Sequence, residues 1–299
     1  METRKVQKSG KGIFIYLPID WCREFKITRG STVNLIKGTR GELILVPFKI
    51  KEEKKIFVIK MRDVSPKILD KAIVSSYIVG ANEFNIQSEK IIPSKLDVQK
   101  YLVGLELSQA TENSVTFTST MKLEDVEEKI IMSIIRKIIA LTEHLDTKNF
   151  EAKRRLEDDV DRSRLLLDRT MHQALTDPSY RRELELTTVG CVHIIQINRL
   201  LERISDYLAL SHSDDKKLNE DLRNLMGMLF LSLSEKNQKR IESLFIATSV
   251  CMKKLERAKK KLDERDYIRL KRVVEHVEDI AEILLDDLFY NNMVQFELK

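Results

Sequence analysis

Residues 126–145 read VEEKIIMSIIRKIIALTEHL, and Ile130, Ile131, Ile134, Ile135, Ile138, Ile139 and Leu141 recur there at the spacing of one broad helix face. Beyond residue 120 only Pro178, Gly190 and Gly227 interrupt the chain. So long a stretch without breakers holds long helices and little else. Asp177-Pro178 combines an N-cap with a first-turn proline, and predicts a boundary between a helix ending near Leu175 and one running to Leu210. Polar breaks follow at SHSDD (211–215), SEKN (234–237) and Leu262–Glu264. The expectation for residues 121–299 is six helices, three before residue 213 and three after, in one bundle.

Upstream the texture changes. Residues 52–120 mix a strand (Lys55–Met61), a helix (Ser65–Gly80, opening on Ser65-Pro66), a strand (Glu83–Ile86) and two alternating segments (Leu102–Leu107, Ser114–Ser119). They predict a small α+β connector. Residues 1–51 hold five of the nine glycines. There Lys5–Ser9 and Ile13–Leu17 flank a KSGKG turn, and Val33–Lys37 and Glu42–Val46 flank GTRG, with a helical turn at Pro18–Phe25 between the pairs. Two hairpins and one turn of helix are too little to bury a core, so this head is expected to need a second chain.

Charge is as uneven as glycine. The net charge of +5 resolves into +7 for residues 1–51, with eleven Lys and Arg against four acids, and −2 for the rest. A polyanion-binding head on a near-neutral body is the reading. Arg4, Lys5, Lys8, Lys11, Arg23, Lys26 and Arg29 are its candidate DNA contacts, acting mainly on phosphates. No run of 18 apolar residues exists, no apolar segment follows the basic N-terminus, and Cys22, Cys191 and Cys251 stand far apart. Those features predict a reducing, cytoplasmic setting, no membrane insertion and no cysteine zinc site.

Two carboxylate pairs stand out in the body: Glu157 and Asp161 in LEDDVDRSRLLLDR, and Glu202 and Asp206 in LLERISDYLA. Spacing of i,i+4 puts each pair on one helix face. Two such pairs on adjacent helices offer four hard oxygen ligands, suited to Mg2+, Ca2+, Mn2+ or iron, with Zn2+ also admitted. Glu275 and Asp279 in VVEHVEDIAE form a third pair. With 47 acids in the chain, though, such spacing also arises by chance on solvated faces. His172 and His193 flank the pairs and are read as ordinary helix residues. Lys8-Ser-Gly-Lys-Gly lacks P-loop spacing, and HExxH and GxSxG are absent, so no enzyme is predicted.

The string from Glu157 to Arg169, then Asp177-Pro178, then Leu201-Glu-Arg-Ile-Ser-Asp-Tyr207 resembles the PhoU family of phosphate-uptake regulators, with Ser205 where that family has glycine. The resemblance spans about residues 122–290. It implies a six-helix bundle of two three-helix repeats, with metal bound through Glu157, Asp161, Glu202 and Asp206. The second repeat departs: Lys239–Met252 lacks the first motif and VVEHVED lacks the R-I-G portion. The head (Arg4–Gly10, Ile15–Trp21, Ile27–Leu35 and Glu42–Pro47) resembles AbrB-type domains, in which two chains interleave hairpins into one swapped-hairpin barrel that binds DNA. Together they resemble archaeal phosphate-uptake regulators. The expected whole is a multidomain α+β homodimer that regulates transcription: DNA-binding head (1–51), connector (52–120) and metal-binding bundle (121–299). The alternative is a PhoU-like adaptor for a phosphate transporter or sensor kinase, its head serving only to dimerise.

Overall fold

The computed structural model describes residues 3–37, 43–47, 55–62, 65–92, 100–120, 127–147 and 149–291. The chain is mixed α and β and forms two compact units, Met1–Lys54 and Lys55–Lys299.

In the first unit, β1 (Gln7–Ser9) pairs antiparallel with β2 (Gly12–Phe14) around Gly10, whose φ of +58° the tight turn requires. Helix α1 (Ile19–Glu24) starts after Pro18, and the left-handed Lys26 lies just beyond its end. Strands β3 (Val33–Lys37) and β4 (Leu43–Pro47) form a second antiparallel hairpin. The expected GTRG loop and Glu42 lie outside the described residues. The two hairpins are separate two-stranded sheets, so the barrel expected here is not closed in the single chain. Apolar residues explain why. Val6, Ile13, Tyr16, Ile19 and Leu35 are each at least 60% exposed, and among the described residues of this unit only Pro47 is buried. Trp21 and Cys22 are half-buried, with Trp21 tilted against Phe25.

The second unit opens with β5 (Ile56–Met61), α2 (Pro66–Ile78), β6 (Glu83–Ser88), β7 (Leu105–Ala110) and β8 (Ser114–Ser119). The sheet order is β5-β6-β8-β7, parallel between β5 and β6 and antiparallel elsewhere. The strand expected over Leu102–Leu107 begins only at Leu105, because Gly104 turns the chain at φ +69°. Leu69, Ile73 and Tyr77 of α2 pack on Phe84, Ile86, Val115 and Phe117 of the sheet, with the Phe84 and Phe117 rings stacked at 5.1 Å.

Among the described residues seven α-helices follow: α3 (Glu127–Glu143), α4 (Phe150–Thr176), α5 (Pro178–Glu183), α6 (Thr188–Leu210), α7 (Lys216–Glu235), α8 (Gln238–Ala258) and α9 (Glu264–Tyr290). Most of the long ones begin at a side-chain cap: Asn149, Thr187, Asp215, Asn237 and Asp263 accept backbone N–H groups. One boundary corrects the sequence reading. Asp177-Pro178 does not open the long helix ending at Leu210; it caps the short α5, accepting from Ser179 N and Tyr180 N. The left-handed Glu185 follows, and Thr187 caps α6 afresh. Helices α3, α4 and α6 contact one another, α8 contacts both α7 and α9, and the two trios meet along α3–α7 and α6–α9. The expected Ile stripe of α3 lies in their common core, where Ile134, Ile135, Ile138 and Leu141 are fully buried. Among the described residues no helix is long and apolar enough to cross a membrane.

Candidate functional site

Helix α4 presents two neighbouring stripes. Glu157, Asp161, Arg164 and Asp168 make one, and Asp158, Arg162, Leu165 and Arg169 the next, each stepping by four, three and four residues as a helix face does.

The first stripe meets α6. Asn198 Nδ2 donates to Asp168 Oδ1 at 2.8 Å and to the Arg164 carbonyl at 3.0 Å. One turn along, Arg164 faces Glu202, with Nε 3.9 Å from Oε1. It also lies 3.6 Å from Asp161 Oδ1, and its Nη1 is 3.3 Å from Asp168 Oδ2. Rising numbers on α6 meet falling numbers on α4, so the helices run antiparallel and the polar groups form a ladder. At its far end the carboxylates crowd. Burial raises the pKa of Asp206 from 3.8 to about 7, with Glu202, Asp161 and Glu157 adding repulsion in that order and Arg164 opposing. Burial likewise raises Glu157, helped by Asp161, and raises Glu202 and Asp161 against the pull of Arg164.

The fold therefore brings Glu157, Asp161, Glu202 and Asp206 within electrostatic reach of one another. Glu275 and Asp279 are engaged within their own helix. On α9, Glu275 is paired with Arg272 at 2.9 Å and Lys271 at 3.8 Å, and Asp279 with His276 at 3.1 Å. The flanking histidines are also otherwise engaged, His172 with the Asp168 carbonyl and His193 with Asp287 of α9. Among the described residues no three His, Cys, Asp or Glu side chains already stand as a metal-ligand group. The guanidinium of Arg164, not an assembled cage, sits among the carboxylates. As donors, four carboxylates without thiol or imidazole match a hard cation.

Three members of the ladder, Arg164, Asp168 and Asn198, are not marked by the sequence pattern. The signal available was the 164/168 spacing of Arg and Asp, an i,i+4 pair on the same face as Asp161.

The second stripe meets the sheet layer. Tyr101 Oη donates to Asp158 Oδ1 at 2.7 Å, and Arg162 donates to the Lys100 carbonyl at 3.0 Å. Leu165 enters the core of the sheet layer. Arg169, only 4% exposed, donates to the Tyr77 carbonyl at 2.5 Å, the Ala81 carbonyl at 3.1 Å and Ser119 Oγ at 3.2 Å, its guanidinium lying over the Tyr77 ring. One helix thus carries the carboxylate ladder on one stripe and the sheet on the next.

In the head, Arg4, Lys5, Lys8, Lys11, Arg23, Lys26 and Arg29 are all exposed. Lys8 lies on β1, Lys11 in the β1–β2 turn and Arg23 on α1, where it reaches Asp20 at 3.6 Å. Comparison of the chain with protein-family models, curated proteins and solved structures returned no match.

Proposed function

We propose that the chain is a dimeric DNA-binding regulator of transcription, acting in phosphate uptake, whose helical body senses its effector through a carboxylate site for a hard cation. The observation that carries this reading is the head: seven exposed basic side chains on a unit that leaves its apolar residues in water. A second copy interleaving its hairpins would cover Ile13, Tyr16 and Leu35 and complete the swapped-hairpin barrel, as the AbrB-type resemblance implies. The basic residues would then track duplex phosphates. The link to phosphate rests on the PhoU-like sequence string.

In the body, Glu157, Asp161, Glu202 and Asp206 would hold the ion. Its chemistry there is charge neutralisation: four carboxylates that resist ionising together gain a counter-charge. Asp158, Arg162 and Arg169 lie one residue along α4 from the ladder, so a change in how α4 seats on α6 is felt by the sheet, whose first strand follows the head in sequence.

Two outcomes test this. Replacing Lys5, Lys8 and Lys11 together by alanine is expected to lower the salt slope of DNA binding by about one for each phosphate that those lysines neutralise. An unchanged slope would remove these residues from the interface. Asp161→Ala with Asp206→Ala is expected to abolish Mn2+ binding in equilibrium dialysis with the dimer still folded by light scattering, and unchanged metal content would contradict the site.

A further inference from the structure

The two edges of the sheet in the second unit are built differently. β7, at one edge, carries a register irregularity between Leu107 and Gln109 and an exposed Glu106, both of which blunt a sheet edge. β5, at the other, runs in unbroken register with β6, and its Ile56, Phe57 and Val58 are 56%, 39% and 56% exposed. Its backbone shows which residues turn outward. The Lys55 carbonyl accepts from Asn82 N at 2.9 Å and the Met61 carbonyl from Glu89 N at 3.3 Å, both on the β6 side. Alternate residues of a strand turn their backbone groups the same way, so Phe57 and Ile59 also face β6. Ile56, Val58 and Lys60 therefore turn their N–H and C=O groups to the outer edge. An edge so regular and so apolar is a template for another strand.

We infer that β5 pairs antiparallel with β5 of a second copy, about a two-fold axis at Val58, to make one continuous sheet. The register is self-complementary. Val58 lies opposite Val58 and Ile56 opposite Lys60, so every outward backbone group of the three residues is used at once. On the face where Phe84 and Ile86 pack against α2, Phe57 lies opposite Ile59, an aromatic against a β-branched residue. On the other face no like charges are opposed. Lys60 of the second copy comes within two strand spacings, about 10 Å, of Glu83, which is level with Ile56 on β6.

The choice of a second copy as partner rests on the dimeric head proposed above. A single short strand buries less than the roughly 1,200–2,000 Å2 of a stable interface, so it suits a partner already tethered nearby and not a free peptide. β5 begins eight residues after β4 ends at Pro47, so two paired heads carry two β5 edges at high local concentration. The dimer contact then includes the sheet that α4 grips through Arg169.

The test uses the full chain in a Cys22→Ser background, since Cys191 and Cys251 are buried. Val58→Cys is expected to oxidise to a disulfide-linked dimer, because Cα atoms paired at the axis stand about 5.5 Å apart. Ile56→Cys is expected not to link, because its two copies fall roughly 14 Å apart along the strands in that register. Val58→Pro removes an outward N–H and leaves the bonds to β6. It is expected to fold and to raise the dimer dissociation constant at least about tenfold in analytical ultracentrifugation. Val58→Lys, which sets like charges at the axis, serves if the proline variant does not fold. Linking no greater at position 58 than at 56, or a dissociation constant unchanged by the Val58 variants, overturns the strand pairing and leaves the head dimer standing. A wild type that is monomeric at every concentration overturns both.

Discussion

Arg169→Ala is expected to lower the stability of the second unit by about 3–4 kcal/mol, a large effect for a single polar substitution. The side chain is buried and makes three hydrogen bonds, one to the Tyr77 carbonyl in the last turn of α2 and one to the Ala81 carbonyl in the loop that follows. Tyr77 lies at the negative pole of the helix, so a guanidinium is the complementary group. Ala81 O and Ser119 Oγ would lose it together, and the space left against Tyr77 would be a cavity. Because these bonds join the sheet layer to α4, the melt should become biphasic, the sheet layer being released before the helices. Calorimetry and limited proteolysis read this directly, with early cleavage between residues 55 and 120. Arg169→Lys should recover less than half of the loss, since an ammonium cannot fork to both carbonyls. A melt within a degree of the wild type would show that Arg169 does not hold the sheet layer to α4.

Asp206 supplies the second large effect, and its sign runs against the usual carboxylate. Its folded pKa of about 7 lies above an ordinary 3.8. Above pH 7 the group is ionised in both states, and the folded state bears the full cost of holding a charge among Glu202, Asp161 and Glu157. As pH falls from 7 toward 4, the folded state takes up a proton that the unfolded state does not, so stability rises. Below 4 both states are protonated and the gain is complete. Three units at about 1.4 kcal/mol each, halved for the partial exposure of the group, give about 2 kcal/mol. The upward shifts of Glu157, Asp161 and Glu202 act in the same sense. Asp206→Asn removes the titration, so the metal-free variant is expected to be about 2 kcal/mol more stable than the wild type at pH 8 and equal to it near pH 4. Urea unfolding at several pH values measures the difference. Parallel curves for the two proteins would show that Asp206 is not the strained member of the cluster.

Much of the helical layout is legible in the chain because its signals are local. The Ile stripe of α3 and the polar breaks at 211–215 and 234–237 act over one or two helical turns, and α6, α7 and α8 end or begin at them. Asp177-Pro178 misleads because its capping signal specifies where a helix starts and not how long it runs; Glu185 then turns left-handed and closes α5 after six residues. The carboxylate pairs are legible for the same local reason, since i,i+4 spacing is a property of one helix. What is not legible is the register between α4 and α6. That register alone turns Arg164, Asp168 and Asn198 from scattered polar residues into a ladder, and it leaves Glu275 and Asp279 to the basic residues and histidine of their own helix. Arg169 is the extreme case. Two of its three acceptors are backbone carbonyls roughly ninety residues upstream, which carry no side-chain signature at all.

Whether the basic head reads DNA is tested most directly by fluorescence anisotropy of the full chain across a range of salt concentrations. The two probes are the duplex upstream of its own coding region and a scrambled duplex. Tighter binding to the upstream duplex is expected, with log affinity falling linearly as log salt rises. Absence of binding to either duplex at low salt would contradict a DNA-reading head, and would leave it as a dimerisation device on a protein that works through other proteins.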